Sequence, residues 1–99
     1  MSYQLSIVTP NGKVFEGAAQ SVIVPGAEGF FEVLANHAAI VSMLKKGIVT
    51  LRGNEKSQYF AIGPGVLEVN SAHDVLLLSD FAVSANSRAD AQEKLNDTH

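Results

Sequence analysis

Apolar residues recur at every second position along most of this chain, in short runs closed by turn-forming residues, and that pattern restricts the fold more than any other feature. Tyr3, Leu5 and Ile7 alternate with Gln4 and Ser6, and Pro10-Asn11-Gly12 then makes a turn. Val22 and Val24 flank Ile23, an apolar residue on the opposite face. Val49 and Leu51 alternate with Thr50 and Arg52 before the polar turn Gly53-Asn54-Glu55-Lys56. Tyr59-Phe60-Ala61-Ile62 stops at Gly63-Pro64-Gly65, and Leu67 and Val69 alternate with Glu68 and Asn70. Ser71-Ala72-His73-Asp74 leads into the run Val75 to Leu78. Successive side chains of a strand point to opposite faces, so each run has an apolar side to bury against another layer. Short strands with turns every 8 to 12 residues or so predict an all-β fold. We expect a flattened β-sandwich or barrel of mostly antiparallel strands over residues 1–84.

Composition narrows the functions. With 99 residues, 46% of them apolar and 17% charged, the chain is globular and builds one core. The net charge is −3, and its seven Lys and Arg are scattered, so no basic surface tracks phosphates and nucleic acid is excluded as the main partner. The longest apolar runs, such as Val75-Leu76-Leu77-Leu78, are too short to cross a bilayer, so no direct membrane insertion is expected. Met1-Ser2-Tyr3-Gln4 lacks the basic and apolar segments of a secretory signal. Without cysteine there is no disulfide or thiolate chemistry.

Two segments read less simply. Between Asn36 and Gly47, Ile40, Met43 and Leu44 fall at helical spacing, Asn36 suits a helix start, and Lys45-Lys46-Gly47 suits a helix end. Residues 85–99 change character to a polar linker followed by good helix formers. Ser87-Arg88-Ala89-Asp90 resembles a capping box with Asp in place of Glu. Only Leu95 and a few alanines can pack, and helices under about 12 residues are marginal without packing. The reading is a frayed, partly helical tail.

No motif for chemistry emerges. Gly26-Ala27-Glu28-Gly29 lacks the Gly-Lys-Ser/Thr of a phosphate loop, and its carboxylate repels phosphate. Gly63-Pro64-Gly65 is a strand connection and not part of a dinucleotide fingerprint. His37, His73 and His99 sit far apart without paired metal-ligand spacing, and no serine lies in a Gly-x-Ser-x-Gly elbow. Glu28 and Glu32 flank two aromatics, an acidic and aromatic surface as readily as an acid–base pair. Along Phe30, Phe31, Val33 and Leu34 the alternation fails, which fits either a buried central strand or a contact surface for another protein. For Val75 to Leu78 the buried reading is the stronger.

Several anchors occur in one order and register: Leu5-Ser6-Ile7-Val8-Thr9-Pro10 with Gly12 and Phe15, Pro25-Gly26-x-Glu28-Gly29, and Leu34-x-x-His37-Ala38. Leu44-Lys45-x-Gly47, Gly65-x-Leu67-Glu68-Val69 and Leu76-x-Leu78-x-Asp80-x-Ala82 complete the set. Over residues 3–83 this pattern closely resembles the epsilon subunit of rotary F-type ATP synthases. The resemblance implies a β-sandwich that grips the central shaft, the gamma subunit, and rests on the loops of the membrane c-ring, with a further contact to the catalytic beta subunit. It implies that Glu28, Phe30 and His37 form the c-ring-facing tip, and that the segment after His37 is extended. It also implies a part that couples ion flow to catalysis on other subunits, with no catalytic residue, cofactor or metal of its own. The implied setting is the cytoplasmic face of a bacterial inner membrane, or its organelle equivalent. A stand-alone sandwich module binding sugar or peptide is the alternative, and a small hydrolase using Glu28, Glu32 or His37 is a third.

This sequence departs from the family pattern in places. Ala35 and Asn36 stand where Pro-Gly commonly precedes the His, Ala39 replaces a Pro, and Glu32 replaces a small residue. Asn tolerates the left-handed backbone that a Gly would supply. Ala89 and Gln92 stand where the family's Asp-x-x-Arg-Ala nucleotide signature has its Asp and Arg, and the chain stops within the first helix of the usual hairpin. The expectation is no ATP binding and little braking by that hairpin.

Overall fold

The computed structural model describes residues 1–97; Thr98 and His99 lie outside the described residues. Ten strands follow the chain in order: β1 (Tyr3–Thr9), β2 (Gly12–Ala19), β3 (Ser21–Gly26), β4 (Gly29–Leu34), β5 (Ile40–Leu44), β6 (Gly47–Arg52), β7 (Ser57–Ile62), β8 (Gly65–Val69), β9 (Val75–Ser79) and β10 (Ala82–Ala85). One helix, α1 (Arg88–Asn96), ends the fold. The hydrogen-bonded order is β10-β7-β6-β3-β5-β8-β9-β1-β2, with β4 added to β3. Among the described residues only the β1–β9 pair is parallel. The expected all-β sandwich is the observed fold, nearly closed because β10 approaches β1 and β2.

β3 belongs to both layers. Ser21–Ile23 pair with β6, whereas Gly26 pairs with Leu44 of β5. Two backbone bonds continue that crossing, Ala27 N–H to Met43 O (2.9 Å) and Lys45 N–H to Pro25 O (2.9 Å). The first layer is thus β10-β7-β6-β3-β4, and the second is β5-β8-β9-β1-β2. Between them lies one core, with Leu5, Ile7, Val22, Val24, Val33, Val49, Leu51, Phe60, Ile62, Leu67 and Leu77 fully buried. These are the alternate residues of their strands, which is why the sequence pattern shows them so directly. Tyr3 joins the core edge-on, and its hydroxyl donates to Val33 O at 2.7 Å. Burial, reinforced by the charge of Glu32, holds that phenol far above its usual range.

The segment with two readings is extended. Asn36 adopts φ 65°, the left-handed turn expected of it, and Ile40–Leu44 form β5. Pairing of all five residues with Gly65–Val69 of β8 overrides the helical spacing. Gly65 is demanded by this layer, since a Cβ there would land on the Leu78 carbonyl of β9.

The tail is more ordered than the sequence suggests. Ser87 caps α1 by accepting from Asp90 N–H at 3.0 Å. The shorter Asp side chain accepts not from the cap residue but from Asn86 N–H, at 2.9 Å. That bond and Lys94 hold the Asp90 carboxyl below its ordinary range. Ala91 and Leu95, one turn apart, bury against Ile48, Ala61 and Ala85, with Tyr59 and Phe81 beside them. The helix is only two and a half turns long, and tertiary packing of those two residues stabilises it where propensity alone would not.

Candidate functional site

The β3–β4 hairpin turns through Ala27-Glu28, between the paired Gly26 and Gly29. Gly29 takes φ +132°, a backbone that side chains resist. Glu28 therefore stands on an exposed two-residue turn. Phe30, the second residue of β4, is 55% exposed. With Val41 and Met43 of β5 these two residues line a hollow of about 530 Å³ at the end of the sandwich.

β4 settles the question its composition raised. It pairs only with β3, as an edge strand, and its side chains alternate after all. Phe31 and Val33 turn inward, whereas Phe30, Glu32 and Leu34 face outward. Arg52 lies 3.8 Å from Glu32, an exposed pair worth little.

His37 lies past the far end of β4. Five strand steps of about 3.3 Å each separate Gly29 from Leu34, so His37 stands roughly 20 Å from Glu28. Glu28 and Phe30 share one hollow; His37 does not reach it. Its N–H donates to Leu34 O at 3.3 Å, and its carbonyl lies 3.1 Å from His73 Nδ1. His73 occupies the β8–β9 turn with φ 67°, and Asn70 Oδ1 accepts there from Ala72 and Asp74 N–H. This meeting of two His-bearing turns is invisible in a one-dimensional reading.

Sequence reasoning also missed a surface. The outer face of the second layer carries a cross-strand row in which Met43 pairs with Val66, Val66 with Leu78, and Leu78 with Val8. Met43 is 62% and Leu78 44% exposed. Leu76 and Leu78 are thus the outward members of the Val75–Leu78 run, while Val75 and Leu77 fill the core as expected. An apolar row at outward positions of four neighbouring strands leaves apolar area that a partner would stabilise by covering.

Among the described residues no three His, Cys, Asp or Glu are grouped to hold a metal. No helix is long and apolar enough to cross a membrane. The fold is a β-sandwich with an aromatic and acidic hairpin end and an apolar outer face. Residues 2–85 match the family model of the ATP synthase delta/epsilon chain β-sandwich domain, and the chain belongs to that family. It is 39% identical over 94 residues to the ATP synthase epsilon chain of Campylobacter concisus, covering 92% of this chain and 72% of the relative. The epsilon chain of Sulfurimonas denitrificans is 35% identical over 96 residues, covering 95% and 74%. The fold matches a chain in the cryo-EM structure of Euglena gracilis mitochondrial ATP synthase, OSCP/F1/c-ring, with a TM-score of 0.79 at 22% identity. There the match covers 84% of this chain and 53% of the other. A second match, in the central stalk and c-ring structure from Tetrahymena thermophila, has a TM-score of 0.70 at 12% identity and covers 83% and 66%.

Proposed function

We propose that this chain is the epsilon-type subunit of a rotary F-type ATP synthase, bound to the gamma subunit and to the c-ring loops, and in contact with the catalytic beta subunit. In this reading it is not an enzyme, and it couples ion flow to ATP synthesis and hydrolysis on other subunits. Its place is the cytoplasmic face of a bacterial inner membrane, as a peripheral part of the complex. Residues 1–84 are the working domain in this reading, and a polar linker and the short helix α1 follow it. The observation that carries the reading is sequence identity to epsilon chains along almost the entire chain, 94 residues in one relative.

The ring-facing surface in this proposal is the exposed side of β4. Glu28 and Phe30 form its hairpin end and His37 its far end, with Glu32 and Leu34 between them. Burying Phe30 in that contact contributes roughly 1.5–3 kcal/mol. A sugar- or peptide-binding module is the weaker reading, since seven aromatics without Trp make a poor platform.

Affinity capture of the tagged chain from native membranes tests the role. Recovery of the large ATP synthase subunits is expected; isolation of the chain alone contradicts it. Isothermal titration with MgATP is expected to show no binding, and a micromolar affinity overturns that part of the reading.

A further inference from the structure

Of the six asparagines in the chain, only Asn11 precedes a glycine. Both Asn11 and Gly12 are exposed, in the turn that joins β1 to β2. The backbone of this turn is fastened: Asn11 N–H donates to Thr9 Oγ1 at 3.1 Å, and that hydroxyl donates to Gly12 O at 3.3 Å. The Asn11 carboxamide is not fastened. Among the described residues no hydrogen bond holds it. Gly12 takes φ +124°, and nothing beyond its chain neighbours lies within 4 Å of the place a Cβ would occupy. A glycine nitrogen has no side chain beside it to block approach. The unheld carboxamide thus stands next to the most accessible amide nitrogen a chain can offer.

The other asparagines are restrained. Asn70, followed by the small Ser71, has its Oδ1 pinned by Ala72 N–H at 2.9 Å and Asp74 N–H at 3.0 Å. Asn54 Oδ1 accepts from Gln20 Nε2 at 2.7 Å, and Asn96 Oδ1 accepts from Gln92 Nε2 at 3.1 Å. Asn86 leads into the α1 cap, where its own N–H is bound by Asp90 and Ser87 is fixed by Asp90 N–H. Asn36 precedes the bulky His37.

We infer that Asn11-Gly12 is a site of spontaneous covalent modification, with water as the only co-reactant. The Gly12 amide nitrogen attacks Asn11 Cγ, a C–N bond closes a five-membered imide, and the bond from Cγ to Nδ2 breaks. Ammonia leaves, carrying the proton that Gly12 N gives up. Water then opens the imide at one of its two carbonyls. Breaking the new bond gives Asp at position 11; breaking the original peptide bond gives isoaspartate, whose main chain runs through Cγ. Ammonia is exchanged for water and nothing is oxidised or reduced. Either product makes the net charge one unit more negative than −3. The isoaspartate also inserts an extra backbone atom beside the Thr9–Gly12 pair that closes the hairpin.

Timed incubation of the purified chain at neutral and mildly alkaline pH, with peptide mapping by mass spectrometry, tests this. The peptide holding Asn11 is expected to convert to an aspartate and isoaspartate pair, faster at the higher pH, while the one holding Asn70 stays intact. In urea, where its two hydrogen bonds are lost, Asn70 is expected to convert as well. Asn11→Gln keeps a carboxamide but is one methylene too long for the five-membered ring, so the acidic form seen on ion exchange is expected to disappear. Thermal unfolding confirms that this variant is folded. Retention of Asn11 as the amide, conversion of Asn70 at an equal rate in the folded chain, or an undiminished acidic form in Asn11→Gln would each overturn the inference.

Discussion

The two outer faces of this sandwich are built alike and finished differently. On the first layer, Ile48 of β6 and Ala61 of β7 are cross-strand partners pointing away from the core, and α1 covers both with Ala91 and Leu95. On the second layer, Met43, Val66, Leu78 and Val8 form an equally apolar row, and its large members stay exposed. The chain thus satisfies one face internally. The other is the face that gains from a partner, because apolar area left in water is stabilised only when something covers it.

The largest effect expected from a single change lies beneath the bare face. Gly65→Val places a side chain on the Leu78 carbonyl, and the β8–β9 pair must separate to admit it. We expect a loss of about 3 kcal/mol or more, read by chemical denaturation. Wild-type stability would mean that the strands under the row are not held so closely.

Leu95→Ala sharpens the comparison from the covered side. Removing the larger of the two docking side chains is expected to cost about 2 kcal/mol. Amide exchange should then expose α1 while β6 and β7 stay protected. Leu78→Ser, at an outward position of the bare row, is expected to change the stability of the isolated chain by under about 0.5 kcal/mol. A cost matching that of Leu95→Ala would show the bare face to be part of the fold's own packing.

The smallest effect concerns the cap of α1. The folded Asp90 carboxyl is held below its ordinary range, so the ionised form favours the capped helix. That contribution is fully present above the ordinary aspartate value of about 3.9 and is lost as pH falls through the lowered folded value. Circular dichroism should show helical signal falling with acid in wild type, and a weaker dependence in Asp90→Asn.

The layers were legible in the sequence because each strand declares its inward face by alternation, as with Leu5 and Ile7 or Val49 and Leu51. Glu28 and Phe30 were legible as a turn and its flank because Pro25-Gly26 and Gly29 mark the turn. The bare row was not. Its four residues come from strands far apart in sequence, and β1 and β9, joined in parallel, lie some 70 residues from each other. No local pattern reports which strands adjoin. Leu78 looked like core because it sits in an unbroken apolar run, and only the register shows which of its members face out. The docking of α1 left a faint trace, the spacing of Ala91 and Leu95, but one turn of helix gives too short a period to separate packing from chance. The contact of His73 with the His37 carbonyl depends on two left-handed turns meeting, which only the folded chain reveals.

Methionine oxidation gives the most direct measurement of whether the bare face is the one the assembly covers. Met43 is 62% exposed in the row, and Met1, 86% exposed, serves as a reference in the same chain. Brief peroxide labelling followed by mass spectrometry compares the free chain with the chain in intact ATP synthase. Both methionines are expected to oxidise in the free chain, with Met43 protected in the complex and Met1 still reactive. Equal oxidation of Met43 in both states would contradict the account.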